Sequence, residues 1–122
     1  MPVTWGFRGR VVMLSVIGVV TNQEIEQAFD EAVANAPSRS DLRLLWDARA
    51  SLTPVSSDDM AWRFGLVSSL AERGILSRAA LLVRSEHLTI LELARAQIQK
   101  ALPAIQSEVF TEPAEALAWL EK

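Results

Sequence analysis

The sequence predicts an α/β fold, a mixed β-sheet covered by helices in the order ββαβαβαβα. Three observations carry that expectation. Short, β-branched apolar runs alternate with longer segments whose apolar residues recur at helical spacing. After an opening pair of strands, each strand is followed by a helix, which is the pattern of parallel crossovers. Half of the 122 residues are apolar and 22% are charged, the balance of one globular domain over residues 1–122, with no linker, repeat or low-complexity stretch.

Val3, Trp5 and Phe7 alternate with Thr4, Gly6 and Arg8, the period of a half-buried strand. Arg8-Gly9-Arg10 reads as a tight turn into Val11 to Ile17. That run is apolar on both faces, so it suits an interior strand antiparallel to the first and closed by Gly18. Arg8 and Arg10 ahead of this run imitate a signal peptide. The run lacks a small-x-small cleavage site and falls short of the about 20 apolar residues that span a bilayer, so the strand is the expectation.

Thr21-Asn22-Gln23-Glu24 has the form of a capping box. The helix it opens carries Ile25, Phe29, Ala32 and Ala36 on one stripe, shows Glu26, Asp30 and Glu31 to water, and stops at Pro37. Leu42 to Trp46 reads as a third strand ending near Asp47. Ser56-Ser57-Asp58-Asp59 supplies cap hydroxyls and first-turn carboxylates for a second helix, with Met60, Phe64, Val67 and Ala71 as its buried stripe and Gly74 as its stop. Ala79 to Val83 is a fourth, fully buried strand. Ser85 or Thr89 caps a third helix with the stripe Ile90, Leu91, Ala94, Ile98 and Leu102 before Pro103. Ser107 to Phe110 is the last strand, and Pro113 opens the closing helix, where its missing N–H costs nothing.

Composition narrows the chemistry. There is no Cys, no Tyr and one His, which removes thiol catalysis, zinc clusters and disulfide frameworks, so neither a metal nor a cofactor is expected. Cysteine-free composition suits a reducing compartment, and with the opening run read as a strand rather than a signal peptide a cytoplasmic location is the expectation. The net charge is −3, and ten of the 12 cations are Arg scattered along the chain, the pattern of a solvated surface rather than a nucleic-acid track. No G-x-S-x-G, Walker or dinucleotide pattern occurs. Asp58-Asp59 and Glu24/Glu26 stand in first turns, where capping explains them. Asp47 ends a buried strand on the side where ligands meet α/β sheets, and pairing with Arg49 is its simplest role. His87 falls at a strand-to-helix junction. Trp62 and Leu66 lie off the stripe of their helix and form a second apolar edge, either covered by a neighbouring helix or offered to a partner, a ligand or a second copy.

The element order, together with Gly18-Val19-Val20-Thr21, Leu45-Trp46-Asp47 and Val109-Phe110 followed by Ala114-Glu115-Ala116-Leu117-Ala118-Trp119-Leu120, resembles the STAS domains. More narrowly, it is similar to the bacterial SpoIIAA-like proteins of unknown function. The resemblance covers essentially the whole chain and implies a regulatory module akin to anti-sigma-factor antagonists, whose partner is an anti-sigma-factor-like kinase or another regulator. In those antagonists a strand-end Asp is followed by a D-S-S-G motif whose serine is phosphorylated. By similarity Ser57, after Ser56, is the position that would carry the phosphate. Val55 and Asp58 replace the flanking Asp and Gly of that motif.

Three functions from different classes follow, of which the first is the expectation, the second its alternative and the third, an enzyme, is not expected. The first is a non-enzymatic protein-interaction module using Asp47, Arg49, Ser56, Ser57, Asp58, Trp62 and Leu66, that is, the loop from Asp47 to Asp58 and the outer face of the second helix. The second is a carrier or sensor of a small apolar, lipid-like ligand, suggested by Trp62 and by lipid-binding proposals for SpoIIAA-like relatives. The third is an enzyme built on Asp47 and His87, which no motif joins. Nucleic acid and a membrane span are not expected as partners, and a homodimer through the uncovered edge of the second helix is a further expectation.

Overall fold

In the computed structural model, residues 3–37, 40–52, 57–101 and 105–122 are described, without the side chains of Ser57, Ile98 and Ala101. Five strands form one sheet in sequential order: β1 (Val3–Arg8), β2 (Val11–Gly18), β3 (Leu42–Ser51), β4 (Leu76–Leu82) and β5 (Gln106–Phe110). The helices are α1 (Asn22–Ala34), α2 (Ser57–Glu72), α3 (Leu88–Ala101) and α4 (Pro113–Leu120), with a 3₁₀ turn over Ser85–His87 leading into α3. This is the order read from the sequence.

The β1–β2 hairpin pairs Arg8 with Val11, leaving Gly9 and Arg10 as a two-residue loop. Gly9 adopts φ +60°, the first central position of a type II′ turn, which an L side chain resists. From β2 to β5 every pairing is parallel. The parallel strands advance in one direction across the sheet, so right-handed crossovers bring α1, α2 and α3 to the same face. After β5 the chain has no further strand to reach, and α4 folds back over the other face.

Two apolar layers result. On the face of α1 and α2, Leu14, Val16, Leu44 and Trp46 meet Ile25, Phe29, Val67 and Leu70. On the other, Val11, Leu45, Ala80 and Leu82 are covered by Ala116 and Leu120 of α4. Leu14, Leu42, Leu44, Leu82 and Leu120 are all essentially removed from water, each stabilising the fold by about 1.5–3 kcal/mol relative to exposure.

The capping box forms: the Thr21 hydroxyl accepts from the Glu24 amide at 3.2 Å, and the Thr21 amide donates to Glu24 Oε1 at 3.0 Å. Pro113 occupies the first turn of α4. Three expectations are corrected. β3 does not end near Asp47 but runs on to Ser51, because Asp47 still pairs with Ser15 of β2 and Leu82 of β4. β4 begins at Leu76 rather than Ala79. Ile90 is 70% exposed rather than buried in the α3 stripe, and it stands at the rim of a gap between α2, α3 and the sheet. Leu102 and Pro103 lie outside the described residues.

Candidate functional site

The gap is a cavity of about 420 Å³ between α2, α3 and the sheet. Strand alternation builds its floor: Leu44, Trp46 and Ala48 point to this face from β3, and Ala79 and Leu81 from β4. Met60, Phe64 and Val67, three positions of one α2 stripe, form one wall. Leu91 and Arg95 of α3, one turn apart, form the other. The two alanines on the floor are too small to fill the space that the separation of α2 and α3 leaves. Val83, Arg84, His87 and Ile90 stand at the end nearest the strand C-termini, where open α/β sheets commonly take ligands.

The lining is mainly apolar, with a few charged groups at distinct places. Arg63 donates from Nε to the Asn22 side chain of α1 at 3.3 Å, and Asn22 in turn donates to Asp59 at 3.2 Å. Burial pushes the Arg63 guanidinium below its ordinary pKa while Asp59 opposes that shift, and Arg63 stays cationic at neutral pH. Arg84 pairs with Glu86 at 3.2 Å. Arg95 donates from Nη1 to the Ser107 carbonyl at 3.2 Å, tying α3 to β5, and makes no ion pair among the described residues. Its Nε is buried without a partner.

The residues expected to act together are divided by the sheet. Trp46 and Ala48 face the cavity, so Asp47 between them turns to the α4 face. There Arg49 embraces it: Nε donates to Oδ1 at 3.0 Å, Nη2 to Oδ2 at 2.9 Å, and the Arg49 amide to Oδ1 at 3.1 Å. Burial alone would raise the Asp47 pKa, but the hydrogen bonds and charge of Arg49 outweigh it and hold the carboxyl below its usual range. Between Ser15 and Ile17 of β2 the partner strand advances from Asp47 to Ala50, one residue more, a β-bulge that helps place the pair. The pairing of Asp47 with Arg49 is as expected from the sequence; the expected shared surface with Trp62 is not formed, because strand alternation turns Asp47 to the face opposite α2.

Trp62 is 37% exposed on α2, whereas Leu66, one turn on, packs on the core beside Phe29 and Val33 of α1. The second apolar edge is therefore covered at Leu66 and open at Trp62. Asp58 and Asp59 stand in the first turn of α2. Ser56 and the Ser57 side chain lie outside the described residues. His87 is exposed, and no hydrogen bond joins it to Asp47, whose oxygens Arg49 already engages.

Asp41 was not singled out by sequence reasoning. At the opposite end of the sheet it accepts from Arg10 Nη1 and Ser77 Oγ, both at 2.6 Å, with φ +54°. An Asp before a strand at the left-handed position of a turn is a known signal, but nothing local distinguishes it from any polar loop residue. The cavity was equally invisible, although its Trp46, Phe64 and Leu91 were assigned to the buried side.

The chain is thus an α/β fold with a mixed sheet, three helices on one face, one on the other and a cavity beside the strand ends. Residues 11–121 match the SpoIIAA-like family, and the chain belongs to it. Among solved structures it is similar to an uncharacterized protein of the DUF3478 family with a SpoIIAA-like fold from Shewanella loihica PV-4, at 18% identity over 97% of this chain and 91% of that one, with a TM-score of 0.65. It is also similar to an anti-sigma factor antagonist from Mycobacterium paratuberculosis, at 17% identity over 98% and 93%, with a TM-score of 0.63. Among curated proteins none matches the chain. No helix of the described residues is long and apolar enough to cross a membrane.

Proposed function

We propose that this chain is a non-enzymatic binding module that holds a small apolar ligand between α2 and α3, as a carrier or a sensor. The observation that carries the reading is the cavity: its size falls within the ordinary range of ligand sites, its walls are chiefly apolar, and few polar groups converge on it. A gap of this kind weakens packing in the empty chain, and occupancy restores the missing contacts. The reading is tested by native mass spectrometry of the chain purified under non-denaturing conditions, alongside titration with the fluorescent apolar probe ANS. A co-purifying small molecule, or saturable 1:1 probe binding that Ala79→Leu abolishes, supports it. A bare mass with no saturable probe binding overturns it.

A second reading, a regulatory protein partner, is favoured by Trp62, which is too exposed for a core role, and by the fold shared with an anti-sigma factor antagonist. The face from Trp62 to the mouth of the cavity would be its docking surface. A phosphate on Ser57 would meet the like charges of Asp58 and Asp59 in the same turn, so the partner reading stands on Trp62 rather than on a phosphoserine. Loss of a binding protein from a host-lysate pull-down with Trp62→Ala supports it, and unchanged capture counts against it.

A further inference from the structure

We infer that the ligand is an anionic amphiphile, a small molecule with one carboxylate, whose alkyl body lies against Trp46, Phe64 and Leu91 and whose carboxylate pairs with Arg95. The inference rests on the ligand-binding reading above and adds the charge of the ligand and the residue that reads it. The chain as a whole is net negative at −3, yet the described cavity lining holds three arginines against a single carboxylate, Glu108. Carboxylates just outside the lining offset two of these charges, Glu86 beside Arg84 and Asp59 near Arg63. Two of those arginines have partners, Arg63 through Asn22 and Arg84 through Glu86. Arg95 has only the Ser107 carbonyl on one amino group, and its Nε is buried with no acceptor.

A guanidinium is a permanent cation whose N–H groups make charge-assisted hydrogen bonds to carboxylate oxygens. With Nη1 committed to Ser107 and Nε closed off from solvent, Nη2 is the donor of Arg95 left for a ligand. A neutral alkyl ligand would leave it without an acceptor. A carboxylate would accept from that amino group and neutralise the charge in an environment where neighbouring apolar side chains make the pairing stronger than in water. Ser107, buried on β5, and Gln99, which accepts from its hydroxyl at 2.6 Å and donates to the Ile105 carbonyl at 2.6 Å, fix the strand segment that holds Arg95 in place.

The test compares sodium decanoate with decanol, equal in chain length, by isothermal titration below the micellar concentration of decanoate. Wild type is expected to bind decanoate at 1:1 and about tenfold or more tightly than decanol. Arg95→Met, which keeps an apolar stem, is expected to remove that preference while retaining decanol binding, and Arg8→Gln, exposed on β1 and outside the cavity lining, to leave it. Equal affinity for the two ligands in wild type, or a preference that survives Arg95→Met, overturns the inference and leaves an apolar cavity without charge selection. Failure of both ligands to bind overturns it together with the ligand-binding reading. Should Arg95→Met not fold, the wild-type preference decides alone, since charge is the main difference between the two probes.

Discussion

The Trp46 indole meets the Phe29 ring with centroids 5.6 Å apart and planes tilted by 59°, while the same indole lines the cavity. One side chain thus belongs both to the core beneath α1 and to the site between α2 and α3. Trp46→Ala is expected to lower stability by about 3–5 kcal/mol in urea unfolding, because it opens a void in both. Trp46→Phe keeps an aromatic partner for Phe29 and is expected to cost less. The same variant should remove most of the change in tryptophan emission on ligand binding, since Trp5, Trp62 and Trp119 do not line the cavity.

Ala79 sits on the cavity floor, in register with Leu44 on β3 and Ser107 on β5. Ala79→Leu adds apolar volume where the walls leave it unfilled. The expected outcome is a stability within about 1 kcal/mol of wild type, or higher, with ligand binding lost. Thermal unfolding and probe titration of the same preparation check both halves.

The Asp47–Arg49 pair gives a pH signature. The Asp47 pKa is depressed in the folded chain, so its contribution is present above the unfolded carboxylate value and disappears as pH falls through the folded one. Asp47→Asn is therefore expected to be less stable than wild type at pH 7, by under about 1 kcal/mol for this partly exposed pair, with the difference closing below about pH 4. Urea midpoints across that range read it directly. Ligand binding should be unaffected, since Asp47 lies on the α4 face.

Asp41 combines left-handed backbone with bonds to Arg10 and Ser77. Asp41→Ala loses the bonds and suffers at φ +54°, with an expected loss of about 1–3 kcal/mol. Asp41→Gly relieves the backbone and should cost less than Ala, an order that chemical denaturation can establish.

Much of the fold was legible because local signals and tertiary demands agree. The Thr21–Glu24 box, the turn at Gly9 and Pro113 at the start of α4 each act within one or two turns of chain, and each is present in the structure. The fully apolar run at Val11 announced a strand flanked on both sides, and β2 lies between β1 and β3. Legibility fails where a property depends on three elements at once. α2 carries apolar side chains toward the cavity at Met60, Phe64 and Val67, toward α1 at Leu66 and toward the core at Leu70, so the stripe does not say which of its positions stay uncovered. Ile90 looked like a core position by spacing, but the spread between α2 and α3 leaves it at the mouth. Asp47 looked like a strand end because its polar side chain breaks an apolar run; the strand continues beyond it, since Arg49 satisfies the carboxylate within the strand itself. A void has no sequence signature, being set by what neighbouring side chains fail to fill.

The cavity's role is tested most directly by an NMR titration of the isotope-labelled chain with decanoate, following backbone amides and the tryptophan indole N–H groups. Saturable shifts confined to the Trp46 indole and to the amides of Phe64, Val67, Leu91 and Arg95, with α1 and α4 unmoved, are the expected result. Shifts spread across α4 or the Trp62 face without those signals, or no shifts at all, would contradict binding between α2 and α3.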